Sequence, residues 1–475
     1  MQNKRDQLQA HGFVITRLIS AILRADPDQP ERPMRRTATG GLIGLGLSLL
    51  MLLIYGLLGF TRGGGDNSWQ TANSIIVEKE TGTRYVFLDG TLRPALNYAS
   101  ARLAAGGAEA QIRTVSAASL KGVPHGRAIG ISGAPDQLPA SGTLRRGAWL
   151  VCLNAGATAT EPDTVIAVDA GWAAVDLPDD QAALVVDGAS QRYLIYRGQR
   201  LAIKNNTVLL ALGYGSASPS RVPGSWLNAF EAGPELSVPE VPGRGRKGPV
   251  VGARKTRIGQ VLQASVPGAA AEYYLVLADG LLPITPTVAR LVVTDPGTAK
   301  AYPGAVAEPI PVSAAAVVSA ARSATLLPVA GLPDTPPKLA TGLSGGRSWC
   351  ARMTFDAGRG PTVTLSTVDS ATVTGVTTGA TDSRVADMVQ VPPGSGVLVA
   401  GQAAPGVPSG TTYLITDLGI RYPLPSAEVV AALGYEGVAT VPVPTTVLAM
   451  LPSGPSLDPE AARTEQIDTG GSSPG

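Results

Sequence analysis

Charge is scarce in this 475-residue chain: only 16% of residues are Asp, Glu, Lys or Arg, against about 25% in ordinary soluble domains. That argues against a disordered polyelectrolyte. Neither sign dominates. The 38 basic and 36 acidic residues leave a net charge of +2, so the broad basic field of a general nucleic-acid binder is missing. Aromatics reach only 5%, and two histidines with two cysteines are too few for a His/Cys metal cluster. Nothing resembles G-x-x-x-x-G-K-[ST] or G-x-S-x-G. Glycine and proline are plentiful, at 57 and 39 residues, about a fifth of the chain against a norm of roughly 12%. They imply many turns, and so short strands rather than long helices.

One long apolar run stands out. No charge occurs between Arg36 and Arg62, and within that gap Leu42 to Phe60 is built from Leu, Ile, Met, Gly, Ser, Tyr and Phe. At about 1.5 Å per residue the run matches a hydrocarbon core of about 30 Å. It exceeds a signal-peptide core of about 7–15 residues, and no small-x-small cleavage site follows it. We therefore read residues 41–61 as a transmembrane helix, followed by a flexible exit over Thr61–Asp66. Residues 1–36 carry Lys4, Arg5, Arg17, Arg24, Arg32, Arg35 and Arg36. The positive-inside rule then puts the N-terminus in the cytoplasm and the rest of the chain outside. Gly40 and Gly44 have GxxxG spacing, a signal too weak to outweigh lipid-facing glycine. Within residues 1–40 the spacing predicts an amphipathic helix over 6–24. Leu8, Ile15, Leu18, Ile19 and Ile22 share one face, with Asp6, Arg17 and Arg24 opposite, and Pro27 and Pro30 lie beyond its end. Two uses stay open: a helix on the inner leaflet, or a docking face for a cytoplasmic partner.

The outer part repeats itself. Arg84–Gly90, Arg192–Gly198, Tyr274–Gly280 and Tyr413–Gly419 each read as a short strand and a glycine turn leading into a second strand. Helix-like stretches follow at Asn97–Leu103, Thr207–Leu212, Thr287–Val293 and Ala427–Leu433. The first and third units share later text at an offset of 197–198 residues, around Val115 and Val312 and around Gly133 and Gly331. The second and fourth share Leu212-Gly213-Tyr214 and Leu433-Gly434-Tyr435. An ancestral pair duplicated in tandem explains both. The expected layout is repeat 1 over 62–144, a central β part over 145–185, and repeat 2 with a linker over 186–257. Repeat 3 follows over 258–344, a second central part over 345–400, repeat 4 over 401–452, and a disordered tail over 453–475. The two central parts are expected to pair as one sheet.

Cys152 and Cys350 stand 198 residues apart, at equivalent places in the two halves. In an oxidising compartment the expected outcome is a disulfide between the halves; two buried free thiols are the other possibility. Neither cysteine has a nearby histidine to activate it. His125 sits in a turn-rich loop and His11 on a helix surface. Gly243-Arg244-Gly245-Arg246-Lys247-Gly248 is basic and glycine-rich, but Pro249 follows, so a flexible linker is preferred to a phosphate cradle. Asp89, Asp279 and Asp417 recur beside the turns as turn formers. No catalytic residue, metal site or cofactor is expected.

Several segments resemble the EccB family, membrane components of the type VII (ESX) secretion system. They are RDQLQAHGFVITRLISAILRADPDQPERPMRR, VEKETGTRYVFLDGTLRPALNYASARL, LVVDGASQRYLIYRGQRLAI, SWLNAFEAGPEL, YYLVLADGLLPIT and VADMVQVPPGSGVLV, which run in order along nearly the whole chain. The resemblance implies an inner-membrane, single-pass protein with an α+β, β-rich periplasmic region. That region would be elongated, with four small repeat domains around a central β domain. It implies assembly with EccC, EccD and EccE, proximity to a mycosin protease, self-association as a dimer or higher, and a role in export of WXG100-type proteins. The family's disulfide would map to Cys152 and Cys350. An ATPase label attached to some members finds no phosphate-loop motif here. The expected role is therefore a structural, non-enzymatic subunit; a membrane-anchored cell-wall binder and an ATP-hydrolysing secretion component are the alternatives.

Overall fold

The computed structural model describes residues 4–24, 35–62, 69–154, 162–340, 346–356, 360–404 and 406–466. Two helices open the chain. Helix α1 (Lys4–Arg24) contains the amphipathic segment, and α2 (Arg35–Arg62) contains the apolar run. Within α2, Thr37–Leu57 is long and apolar enough to cross a membrane, and none of the residues in its most apolar stretch is buried in the protein. Its 21 residues span about 31 Å. Pro27, Pro30, Arg32 and the exit over 63–68 lie outside the described residues.

The first repeat unit contributes β1 (Ser74–Glu78), β2 (Arg84–Leu88), β3 (Thr91–Pro94), α3 (Tyr98–Ala104), β4 (Gln111–Val115) and α4 (Ala117–Leu120). Next come β5 (Trp149–Asn154), β6 (Asp163–Val168) and β7 (Val175–Asp176). The second unit comprises β8 (Gln181–Val186), β9 (Arg192–Tyr196), β10 (Gln199–Ile203), α5 (Asn206–Leu212), β11 (Ser220–Arg221), α6 (Gly224–Leu227) and β12 (Glu231–Ala232). A hairpin, β13 (Lys247–Val251) and β14 (Arg254–Arg257), precedes the third unit. That unit has β15 (Val261–Ala264), β16 (Glu272–Val276), β17 (Leu281–Ile284), α7 (Pro286–Thr294), β18 (Ile310–Val312) and α8 (Ala314–Val318); β19 (Lys338–Leu339) follows it and pairs with β8 of the second unit. Then β20 (Arg347–Thr354), β21 (Thr362–Asp369), β22 (Val376–Thr377) and β23 (Met388–Gln390) lead to the fourth unit. It holds β24 (Gly396–Ala404), β25 (Val407–Thr416), β26 (Arg421–Leu424), α9 (Ala427–Ala432), β27 (Val441–Pro444) and α10 (Thr445–Leu448), with α11 (Pro459–Arg463) after it.

The four units share one strand order: β3-β2-β1-β4, β10-β9-β8-β11, β17-β16-β15-β18 and β26-β25-β24-β27. In each, the hairpin is antiparallel and the last strand joins parallel to the strand before the hairpin. A parallel return needs a crossover, and the helix after the hairpin lies in it. Local chemistry starts three of these helices. Asn97, Asn205 and Thr285 accept from the backbone N–H of Ser100, Val208 and Val288, at 2.9, 3.2 and 3.3 Å, an N-cap worth roughly 1 kcal/mol.

The two intervening parts form one seven-stranded sheet, β22-β23-β6-β5-β20-β21-β7. Its strands alternate. Trp149, Val151, Leu153, Ile166, Ala351 and Met353 join the large core shared with the second and fourth units, while Leu150, Cys152, Val165, Ala167 and Cys350 face the other layer.

Strand pairing moves some expected boundaries. Strand β8 lies almost wholly before residue 186, yet it pairs with β9 and β11 of the second unit. The expected break at 400/401 cuts β24, which pairs with β25 and β27. These strands are as apolar and β-branched as the central ones, so composition alone could not assign them to a sheet. The stretch from Pro239 to Arg257 is not a flexible linker. It contains the β13–β14 hairpin, and Val241 and Val251 are buried. The expected disordered tail is corrected over 453–466, where Leu457 and Ala462 are fully buried and Arg93 pairs with Glu465. Residues 467–475, including the Gly-Gly-Ser-Ser-Pro-Gly end, lie outside the described residues.

Candidate functional site

A bonded pair of cysteines sits in the middle of the seven-stranded sheet. Cys152 on β5 lies directly opposite Cys350 on β20 in an antiparallel register, and the two are joined as a disulfide. The strands on either side mirror each other, with β6 against β5 and β21 against β20. The two cysteines hold equivalent places in the two halves. Around the bond the pairing is locally symmetric, but the flanks differ: β7 joins β21 antiparallel, whereas β23 joins β6 parallel.

Two helix seams join the units. Helix α5 of the second unit packs on α7 of the third, and α3 of the first packs on α9 of the fourth. Leu291 enters the core around Val208 and Leu212; Leu103 meets Val429 and Leu433. Each seam is closed by the tyrosine of a Leu-Gly-Tyr sequence. Tyr214 donates its hydroxyl to the carbonyl of Pro337, and Tyr435 donates to that of Pro139 at 2.8 Å. The acceptors lie 198 residues apart, like the cysteines. Burial pushes both phenols well above their ordinary value, while Arg290 and Arg102 pull back on Tyr214 and Tyr435 respectively.

Equivalent contacts fasten the second and fourth units to the central sheet. Gly198 and Gly419 turn the β9–β10 and β25–β26 hairpins at φ +73°. A Cβ at Gly198 would lie 2.0 Å from the Val363 carbonyl oxygen, and one at Gly419 would lie 2.6 Å from Val389. Only glycine permits this backbone conformation and this approach together. The Trp226 indole, fully buried, donates to the Val151 carbonyl at 3.0 Å.

A cleft of about 590 Å³ opens where the second unit meets the third. Lys204, Arg244, Arg246 and Lys300 line it, with Glu240 and Asp295. Arg244 forms an ion pair with Asp295. The basic glycine-rich loop lies here, but three consecutive backbone donors at its centre are spent. The N–H groups of Arg244, Gly245 and Arg246 bond to the carbonyls of Val241, Ile258 and Gly243 at 3.3, 2.8 and 3.0 Å. They are not free to cradle a phosphate.

The remaining sequence candidates are separated. His125 is exposed, its ring edge-on to Tyr85 at 5.7 Å. Asp279 accepts from Ser323 Oγ at 2.6 Å and from the Ala324 amide at 3.0 Å, bonds that hold its carboxyl below the ordinary range. Asp417 accepts from the Gly394 amide at 2.8 Å. Asp163 has its pKa raised by burial and then by the Asp387 charge, and Asp387 is bonded to the Thr164 amide at 2.7 Å. Among the described residues no group of three His, Cys, Asp or Glu could hold a metal ion. On α1, Leu8, Ile15, Leu18 and Ile22 are exposed, Ile19 is half-buried, and Arg17 lies over the Phe13 ring; Arg24 closes the helix. The expected pairing of the cysteines is the one observed. The sequence shows Leu-Gly-Tyr as a repeat without its role, because the acceptor prolines are more than 120 residues from the first tyrosine and almost 300 from the second.

Comparison with known proteins gives a consistent result. A family model described as type VII secretion system ESX-1, transport TM domain B, matches residues 2–469. The ESX-3 secretion system ATPase EccB3 of Mycolicibacterium smegmatis is 30% identical over 480 residues, covering 95% of this chain and 89% of that protein. The ESX-2 secretion system ATPase EccB2 of Mycobacterium tuberculosis is 31% identical over 493 residues, covering 97% and 94%. Among solved structures, the EccB3 dimer from the ESX-3 core complex aligns with a TM-score of 0.68 at 28% identity, covering 82% of this chain and all of that one. A chain of an intact ESX-5 inner membrane complex shares the fold, with a TM-score of 0.68 at 24% identity over 100% of this chain and 98% of that one.

Proposed function

Since the chain belongs to the EccB family of type VII secretion membrane proteins, we propose that it is a structural subunit of an ESX inner-membrane complex, holding other proteins rather than transforming a substrate. The observation that carries this reading is the end-to-end match to subunits of ESX complexes, on a fold whose buried surface goes into seams and a cross-link. Helix α2 crosses the membrane. The basic residues before it keep the N-terminus in the cytoplasm, and everything from Trp69 onward stands on the periplasmic side as four repeat modules around the central sheet. The disulfide suits that compartment.

In this reading the apolar face of α1, with Leu8, Ile15, Leu18, Ile19 and Ile22 flanked by Arg17 and Arg24, docks on a cytoplasmic partner domain. EccC, EccD and EccE are the companions in the membrane, a mycosin protease lies near the periplasmic body, and a second copy of the chain pairs with it. The complex would serve export of WXG100-type proteins. The relatives' names carry the word ATPase. The committed amides of Arg244, Gly245 and Arg246 support a non-hydrolytic role for this chain.

The test is affinity purification of the tagged full-length chain in mild detergent. EccC, EccD and EccE should co-purify, and the chain freed of EccC should not turn over ATP. A chain that runs alone at monomer mass in several detergents would overturn the proposal.

A further inference from the structure

We infer that the cleft between the second and third repeat units, together with the β13–β14 hairpin beside it, is a docking site for an acidic, extended polypeptide segment of a partner protein. The charge is local and one-sided. Between Glu240 and Glu272 there are six basic residues and no acidic one, in a chain whose net charge is only +2. Arg244 is neutralised by Asp295, but Arg246, Lys247, Arg254 and Lys255 are exposed and make no ion pair among the described residues. Lys300 adds a further exposed cation at the cleft wall.

The cations form a track. Arg246 and Lys300 line the cleft; Lys247 and Arg257 pair at the base of the hairpin, and Arg254 and Lys255 lie at its tip. The hairpin extends the track by about 13 Å at the usual rise per strand residue. The cleft volume of about 590 Å³ lies in the range of ligand sites.

Two features favour a peptide over a uniform polyanion. Glu240 and Asp295 share the cleft with the cations and would repel a ligand charged along its whole length. Val250, opposite Lys255 in the hairpin register, is 61% exposed, offering an apolar contact that a peptide side chain can use. The hairpin is also an addition to the repeat plan. It forms a two-stranded sheet of its own, outside the sheets of the four units. The duplicated fold alone therefore does not account for it.

Binding is read by fluorescence anisotropy on the purified full-length chain in detergent. The probe is a short fluorescein-labelled peptide alternating glutamate with valine, compared with its lysine counterpart and with unlabelled linear polyphosphate as competitor. The acidic peptide should bind and weaken as salt rises. The lysine peptide should not bind, and polyphosphate should compete more weakly than unlabelled acidic peptide. Arg246→Glu with Lys247→Glu should weaken binding by about tenfold or more. If that chain fails to form its disulfide, Arg246→Gln with Lys300→Gln, both exposed positions, is read instead. Equal affinity in wild type and variant, or polyphosphate as the stronger competitor, overturns the inference. The isolated chain is measured, so the result is independent of co-purification.

Discussion

Tyr214 and Tyr435 close matching seams from opposite halves of the chain, and each hydroxyl is the only polar group of its ring. Replacing either with phenylalanine leaves a proline carbonyl without its donor, at a cost of about 1–2 kcal/mol. Denaturant melts of Tyr214→Phe and Tyr435→Phe should each show that loss. The pH sign follows from the raised phenol pKa values. A folded pKa above the unfolded value of about 10 means that the neutral form is favoured in the fold. This contribution is complete below pH 10 and is lost as pH rises further. The melting temperature of wild type should therefore fall above about pH 10, and the double phenylalanine variant should fall less steeply. Burial also raises Tyr302 and Tyr422, so part of the alkaline loss will persist. Trp226→Ala, at a fully buried site whose indole is bonded to β5, should cost about 3–5 kcal/mol by the same measurement.

Among the elements, the repeat helices were the most legible. Strand, glycine turn, strand and a cap such as Asn97, Asn205 or Thr285 all lie within a few residues of one another, so local chemistry sets them. The residues of β8 and the first half of β24 fall within the stretches expected to be β-rich, but not with the units they pair with, because sheet membership depends on partners far away in sequence. The segment at 453–466 was misread for a related reason. It is rich in small and polar residues, and its order comes from Leu457 and α11 meeting the α3 side of the first unit. A chain ending at Gly454 should lose protection from amide exchange across α3 and α9 while α5 and α7 stay protected. Cys152→Ser with Cys350→Ser should lower stability by about 2–5 kcal/mol in chemical unfolding. Wild type in reductant should approach the same value.

At the scale of the whole molecule, the candidate membrane span and the recurring strand–turn–strand text are plain in the sequence, since an uncharged run and a repeated pattern need no tertiary information. The basic cleft is not, because Lys204 and Lys300 approach the 243–248 loop only after two units have docked. Orientation can be tested directly. In intact cells, a membrane-impermeant maleimide should label the Thr325→Cys chain and leave the Gln7→Cys chain unlabelled until the membrane is permeabilised. Labelling of Gln7→Cys alone would reverse the topology.

The path of the chain has a mechanical consequence. The first unit follows α2 in the chain, and its α3 packs on α9 of the fourth unit and on α11. A load entering along α2 would therefore be shared at once with the segment beyond the fourth unit, so α11 ties the far end of the described chain back to its anchored start.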